Sequence, residues 1–251
     1  MWSGRRFADQ NRRWDADFLT VKDLLAKGDF GDLSDFESHF DRYKNEAATT
    51  KLWKEQPLPG SGIVYDLGSH VVDQILALFG RPKSVQAIVR NARSIGNPDV
   101  PDAFDISLQY DADPATPGRG LPLVAHARGT MLSLLSPNLR FIVRGTEGAY
   151  VKHGLDVQED QLKAEGAKAV AKVETFGVEP KEASGTLFKK GGKEAVVSKQ
   201  GHYRAFFENV AEAIHKGDRS LVAVTPESAA LTIEVLELAI QSAKEERTIT
   251  L

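Results

Sequence analysis

Asp66 and His70 stand four residues apart in Gly60-Ser61-Gly62-Ile63-Val64-Tyr65-Asp66-Leu67-Gly68-Ser69-His70, where a glycine-rich turn runs into a stretch with helical spacing. Residues at i and i+4 share one face of a helix, so this spacing offers a carboxylate and an imidazole to a single small molecule. An imidazole with a pKa near neutrality exchanges protons readily, and a neighbouring carboxylate orients it or stabilises its charged form. The same pair also occurs as a surface ion pair or a satisfied hydrogen bond with no chemical role, and spacing alone leaves both readings open. Asp73, three residues beyond His70, reads as a helix-surface carboxylate. His126, His153, His202 and His215 are scattered without a ligand-like spacing, so no metal site is expected.

The elements that must hold this pair can be read from periodicity. Val71, Ile75, Leu78 and Phe79 form an apolar stripe after the turn, and Gly80 with Pro82 stops that helix. Thr20 and Asp23 predict the cap of an earlier short helix carrying Val21, Leu24 and Leu25, ended by Gly28. Beyond the Asp66 helix the period changes to two. Val85, Ala87 and Val89 alternate, then Phe104, Ile106, Leu108 and Tyr110, then Leu123, Ala125 and Ala127, then Phe141 and Val143. Turn residues separate these runs, which predicts neighbouring antiparallel strands. From about 152 to 200 the chain is rich in Lys, Glu, Ala and Gly with few apolar anchors, and an irregular but ordered excursion is expected. Two helices close the chain. Phe206, Phe207, Val210 and Ile214 mark the buried side of one; Thr225, Pro226, Ala229, Ile233, Leu236, Ile240 and Ala243 set out the other. The expected architecture is α+β: a large, mainly antiparallel open sheet with helices on one face, in a single domain. The uncovered face would be half-apolar, and a homo-oligomer through it is expected.

Composition narrows the function. With 251 residues, 41% of them apolar, the chain can bury a substantial core as one domain. Lys and Arg number 32 against 35 Asp and Glu, a net charge of −3, which gives no pull toward nucleic acid or anionic membranes. Arg5-Arg6 reads as part of a solvated terminus. There is no cysteine, which removes disulfides and thiolate nucleophiles. No apolar run approaches membrane-spanning length and no signal-peptide core is present, so a soluble, cytoplasmic protein is the expectation.

The run Gly60–Gln74, read G-S-G-I-V-Y-D-L-G-S-H-V-V-D-Q and followed by L-F-G-R-P, resembles the second-domain signature of the Gfo/Idh/MocA family of NAD(P)-dependent oxidoreductases. Asn11-Arg12-Arg13-Trp14-Asp15 resembles the family's crossover out of its nucleotide domain. The run Phe36 to Tyr43 resembles its first substrate-domain strand. Trp53 to Pro59, the segment around Tyr203-Arg204-Ala205-Phe206-Phe207, and Val224-Thr225-Pro226-Glu227 also match, so the resemblance extends over residues 11–251 after a leader of residues 1–10. It implies a C-terminal substrate and oligomerisation domain akin to that of glyceraldehyde-3-phosphate dehydrogenase. It also implies His70 as catalytic base assisted by Asp66, with Arg13, Tyr43 and Trp53 gripping a sugar, polyol or related hydroxy compound. The complete family enzyme uses NAD or NADP on a Rossmann domain. The glycine fingerprint of that domain and the family's Glu-Lys-Pro motif are absent here, so no cofactor is expected to bind this chain alone. A truncated domain inactive in isolation is one expectation, a partner to a separate Rossmann-domain chain a second, and a non-catalytic carbohydrate-binding or scaffolding module the alternative.

Overall fold

A computed structural model describes residues 8–47, 49–50 and 52–251. Residues 1–7 of the expected leader, Arg5-Arg6 among them, lie outside the described residues. Helix α1 spans Ala16–Ala26 and buries Phe18, Val21, Leu24 and Leu25. It begins four residues before the cap expected at Thr20. Asp15 precedes it in extended conformation, and the Ala16 N–H donates to Asp156 at 2.7 Å. Thr20 is therefore interior: its hydroxyl donates to the Ala16 carbonyl and accepts from the Lys199 N–H.

The strands form one nine-stranded sheet. They are β1 (Leu33–His39), β2 (Ser84–Arg90), β3 (Ala103–Tyr110), β4 (Leu123–Thr130), β5 (Leu139–Gly145), β6 (Gly148–His153), β7 (Gly185–Lys189), β8 (Gly192–Val196) and β9 (Ile249–Thr250). Their order is β8-β7-β6-β5-β1-β4-β3-β2-β9. The expected mainly antiparallel open sheet is present, with one parallel pair at its centre, β1 against β4. That pair follows from connectivity. The chain leaves β1, crosses through helix α2 (Ser69–Phe79) and returns as β2, after which the β2-β3-β4 meander brings β4 back alongside β1.

Helices α1, α2 and α6 (Pro226–Glu245) cover one face. Phe36, Ala125, Ala127, Ile106, Leu108, Val85 and Phe141 point into the core they close. The other face is not half-apolar at its centre, contrary to expectation. Glu37 accepts from Arg128 at 2.7 Å and from Arg144 at 2.9 Å, Arg128 also donates to Asp105 at 3.0 Å, and His126 pairs with Ser107. Opposed charges across adjacent strands satisfy one another there.

Two segments differ from their pattern. The 152–200 region contains α3 (Gln158–Glu165), α4 (Ala167–Ala171) and the β7-β8 hairpin. β8 is an edge strand whose residues are almost all exposed, so no period-two apolar signal marks it. On α6 the buried stripe runs through Thr232, Val235, Leu236, Ala239 and Ser242, while Ile233 is exposed. The buried hydroxyls are hydrogen-bonded, Thr232 to Asp73 and Ser242 to the Arg247 carbonyl. On α5 (Arg204–Lys216) Phe206 is buried, but Phe207 and Ile214 face outward.

Candidate functional site

The Asp66 segment forms a π-helical turn, Val64–Gly68, leading directly into α2. Gly62 sets up its entry with φ +83°, a left-handed conformation that only glycine adopts without strain. The Asp66 N–H bonds back to the Gly62 carbonyl at 3.0 Å. Single π turns widen a helix and displace side chains from strict four-residue stacking. Asp66 and His70 line different cavities.

His70 borders a cavity of about 500 Å³ walled by Arg12, Glu159 and Tyr203 on one side and Leu162, Phe176 and Phe206 on the other. The imidazole is largely buried against the Phe40 ring, 6.3 Å between centroids. Its Nδ1 is shielded from solvent and has no hydrogen-bond partner among the described residues. Burial, followed by the positive charge of Arg12, lowers its pKa to about 4, against the upward pull of Asp66 and Glu159. The near-neutral histidine expected from sequence is therefore an imidazole held neutral at physiological pH.

Arg12 is fixed behind that imidazole. It donates to Asp15 at 3.2 Å and to Glu159 at 2.5 Å, and lies over the Phe40 ring at 4.6 Å. The Tyr203 hydroxyl donates to the other Asp15 oxygen at 2.8 Å. Burial and the proximity of Asp17 and Asp156 push the Asp15 carboxyl well above the usual carboxylate range. Beneath this layer Arg140, fully buried, donates to Asp17 at 2.7 Å, to Ser38 and the His39 carbonyl at 3.0 Å, and to Gln74 at 2.7 Å. These bonds tie β5, α1, β1 and α2 together directly under the site.

Asp66 borders the second cavity, about 360 Å³, together with Arg42, Tyr43, Lys44, Lys54, Arg93 and Asp102. The Lys54 ammonium pairs with Asp66. Tyr43 thus stands at a cavity wall. Trp53 is 53% exposed, with the Lys54 ammonium 5.7 Å from its ring centre. Arg13 faces α2 and α6: it grips Asp73 with two bonds of 2.8 Å and donates to the Ala223 carbonyl at 2.7 Å. Asp73 is accordingly buried, a correction to the surface carboxylate expected from its helical spacing.

Sequence reasoning singled out neither Arg42, Arg93 nor Lys54. Arg42 and Arg93 lie in loops and Lys54 in the 3-10 turn Leu52–Glu55, and only the fold brings them to one cavity. No cluster of three metal-binding side chains occurs among the described residues. The Ser61 hydroxyl of Gly60-Ser61-Gly62 bonds back to its own loop, and Arg119 of Gly118-Arg119-Gly120 is buried on the Phe79 and Asp111 carbonyls, so neither triplet forms a phosphate cradle.

Known proteins resemble this chain in sequence and fold. The chain is 39% identical over 216 residues to an uncharacterized oxidoreductase of Schizosaccharomyces pombe, covering 82% of this chain and 57% of that protein. It is 34% identical to the scyllo-inositol 2-dehydrogenase (NADP(+)) IolW of Bacillus subtilis, covering 96% of this chain and 63% of the relative. The chain thus spans about three fifths of the length of these relatives. Among solved structures, the oxidoreductase yvaA from Bacillus subtilis superposes with a TM-score of 0.82 at 33% identity, over 96% of this chain and 65% of that one. The model of the oxidoreductase family C-terminal alpha/beta domain matches residues 22–251, and the chain belongs to the Gfo/Idh/MocA oxidoreductase family.

Proposed function

We propose that this chain supplies the substrate-handling half of an NAD(P)-dependent oxidoreductase acting on a CH–OH group of a sugar, polyol or related hydroxy compound, with His70 as the base. The observation that carries this reading is the His70 imidazole at the wall of a roomy cavity, held neutral by burial and by Arg12. A neutral imidazole is the form able to accept a hydroxyl proton, and a ring already stripped of water does so without reorganising solvent. Asp66 then favours the resulting imidazolium through its charge, and Glu159 adds to that effect. Arg12 opposes it and favours the unprotonated ring. The aromatic wall at Phe176 and Phe206 suits the C–H face of a sugar ring, while Arg12, Glu159 and Tyr203 suit its hydroxyls.

The nicotinamide cofactor, NAD or NADP, accepts hydride in such enzymes. The part proposed for the residues described here is binding, orienting and deprotonating substrate. The inositol dehydrogenase activity of a relative supports a polyol as the ligand class. In this reading a nucleotide-binding domain, in the same polypeptide or a separate chain, faces the His70 side, the open sheet face joins copies of the protein, and the enzyme works in the cytoplasm. The isolated residues would then turn over no substrate. A carbohydrate-binding module without catalysis is the second reading, which the aromatic and polar lining of the His70 cavity would also serve.

Titration of the chain with scyllo-inositol, followed through the His70 imidazole resonances, tests the binding part. Saturable shifts that vanish from the spectrum of His70→Asn are expected. Unmoved His70 resonances under saturating polyol would contradict it.

A further inference from the structure

The cavity on the Asp66 side contains more than a neutral polyol requires. Four cationic side chains, Arg42, Lys44, Lys54 and Arg93, border it. Three of them are engaged. Lys54 pairs with Asp66, Arg93 donates to Asp102 at 2.6 Å, and Lys44 lies 3.9 Å from Glu55. Arg42 makes no ion pair among the described residues, although it is partly buried.

Arg42 is also held in place. Its N–H donates to the Thr130 carbonyl at 2.8 Å and its carbonyl accepts from the Ser133 N–H at 3.0 Å, which anchors the backbone beside the end of β4. Its guanidinium lies over the Phe40 ring at 4.9 Å, the ring that also packs against His70. A guanidinium oriented by an aromatic face, with its fork uncommitted to any carboxylate, is prepared for a planar anion. Tyr43 adds a hydroxyl at the rim of the same cavity.

We infer that this cavity is a carboxylate subsite in which Arg42 anchors the acid group of a hydroxy acid of the sugar-acid type, held beside Asp66 and Tyr43. The inference rests on the reading of this chain as the substrate-handling part of an oxidoreductase and narrows the ligand class. A carboxylate suits the site better than a phosphate, since only one of the four cations is uncommitted and a dianion would have to break an existing pair. Lys54 and Arg93 are already neutralised by Asp66 and Asp102.

Calorimetric titration of the chain with glucuronate, glucose and glucose 6-phosphate tests this. Glucuronate should bind at least about tenfold more tightly than glucose, the return expected for a charge-assisted pair in a partly buried setting. Arg42→Ala should erase that preference and Arg42→Lys retain part of it. Unchanged thermal midpoints would show that both variants remain folded. Equal binding of glucuronate and glucose, binding of neither, tighter binding of glucose 6-phosphate, or an unaltered preference in Arg42→Ala would each overturn the assignment. Shifts of His70 resonances by a neutral polyol would at the same time leave the proposed base intact, so the two ideas fail separately.

Discussion

Protonating His70 should destabilise this fold by a calculable amount. The imidazole pKa is lowered from 6.5 to about 4 in the folded protein. A depressed base binds fewer protons folded than unfolded, so its contribution is fully present above pH 6.5 and is lost as pH falls toward 4. A shift of about 2.5 pH units corresponds to about 3 kcal/mol between those limits. The raw profile of the wild type will not display this, because Asp156 works in the opposite sense over the same window. Burial raises Asp156 to about 6, so its contribution is present at acid pH and is lost as pH rises from about 3.8 through 6. The informative quantity is the difference in urea stability between wild type and His70→Gln, whose side chain does not titrate. Wild type should lose about 3 kcal/mol relative to the variant between pH 7 and pH 4. Direct titration of the imidazole Cε1–H resonance gives an independent reading. An imidazole titrating at 6.5 or above would refute the reasoning, since the charge of Asp66 would then outweigh burial and Arg12.

Asp156→Asn should tilt the profile the other way, making the protein relatively more stable at pH 7 than at pH 4 compared with wild type, as followed by urea unfolding at several pH values. Arg140→Met should cost about 3–5 kcal/mol, because it strands the fully buried Asp17 carboxylate without its cation. Adding Asp17→Asn should recover part of that loss, and a change below about 1 kcal/mol in the single variant would show the pair to be better solvated than its burial implies.

The sequence carried the architecture where side-chain period and burial agree. β2, β3, β4 and β5 each bury alternate residues, and their runs of alternating apolar side chains were readable directly. It misled where a polar side chain is buried with its partner supplied from elsewhere. Thr232 and Ser242 replace Ile233 on the buried stripe of α6 because Asp73 and the Arg247 carbonyl satisfy their hydroxyls, and no hydrophobic pattern encodes that. The parallel placement of β1 was equally hidden, since its neighbours β4 and β5 are remote in sequence. At the candidate site, the residue types and spacing of Asp66 and His70 were legible, but their placement at two different cavities was not. The low pKa of His70 was invisible for the same reason: it arises from burial beside Arg12, a residue 58 positions earlier in the chain.

The central claim is that His70 removes the substrate hydroxyl proton. Its most direct test is the turnover number of this domain joined behind the nucleotide-binding domain of an intact relative, measured for wild type and His70→Asn with the same alcohol and NADP+. The account predicts a loss of about 10²- to 10⁴-fold in turnover, with the Michaelis constant for the cofactor nearly unchanged. Full turnover in His70→Asn between about pH 6 and 9, a range bracketing the ordinary histidine pKa, would contradict it.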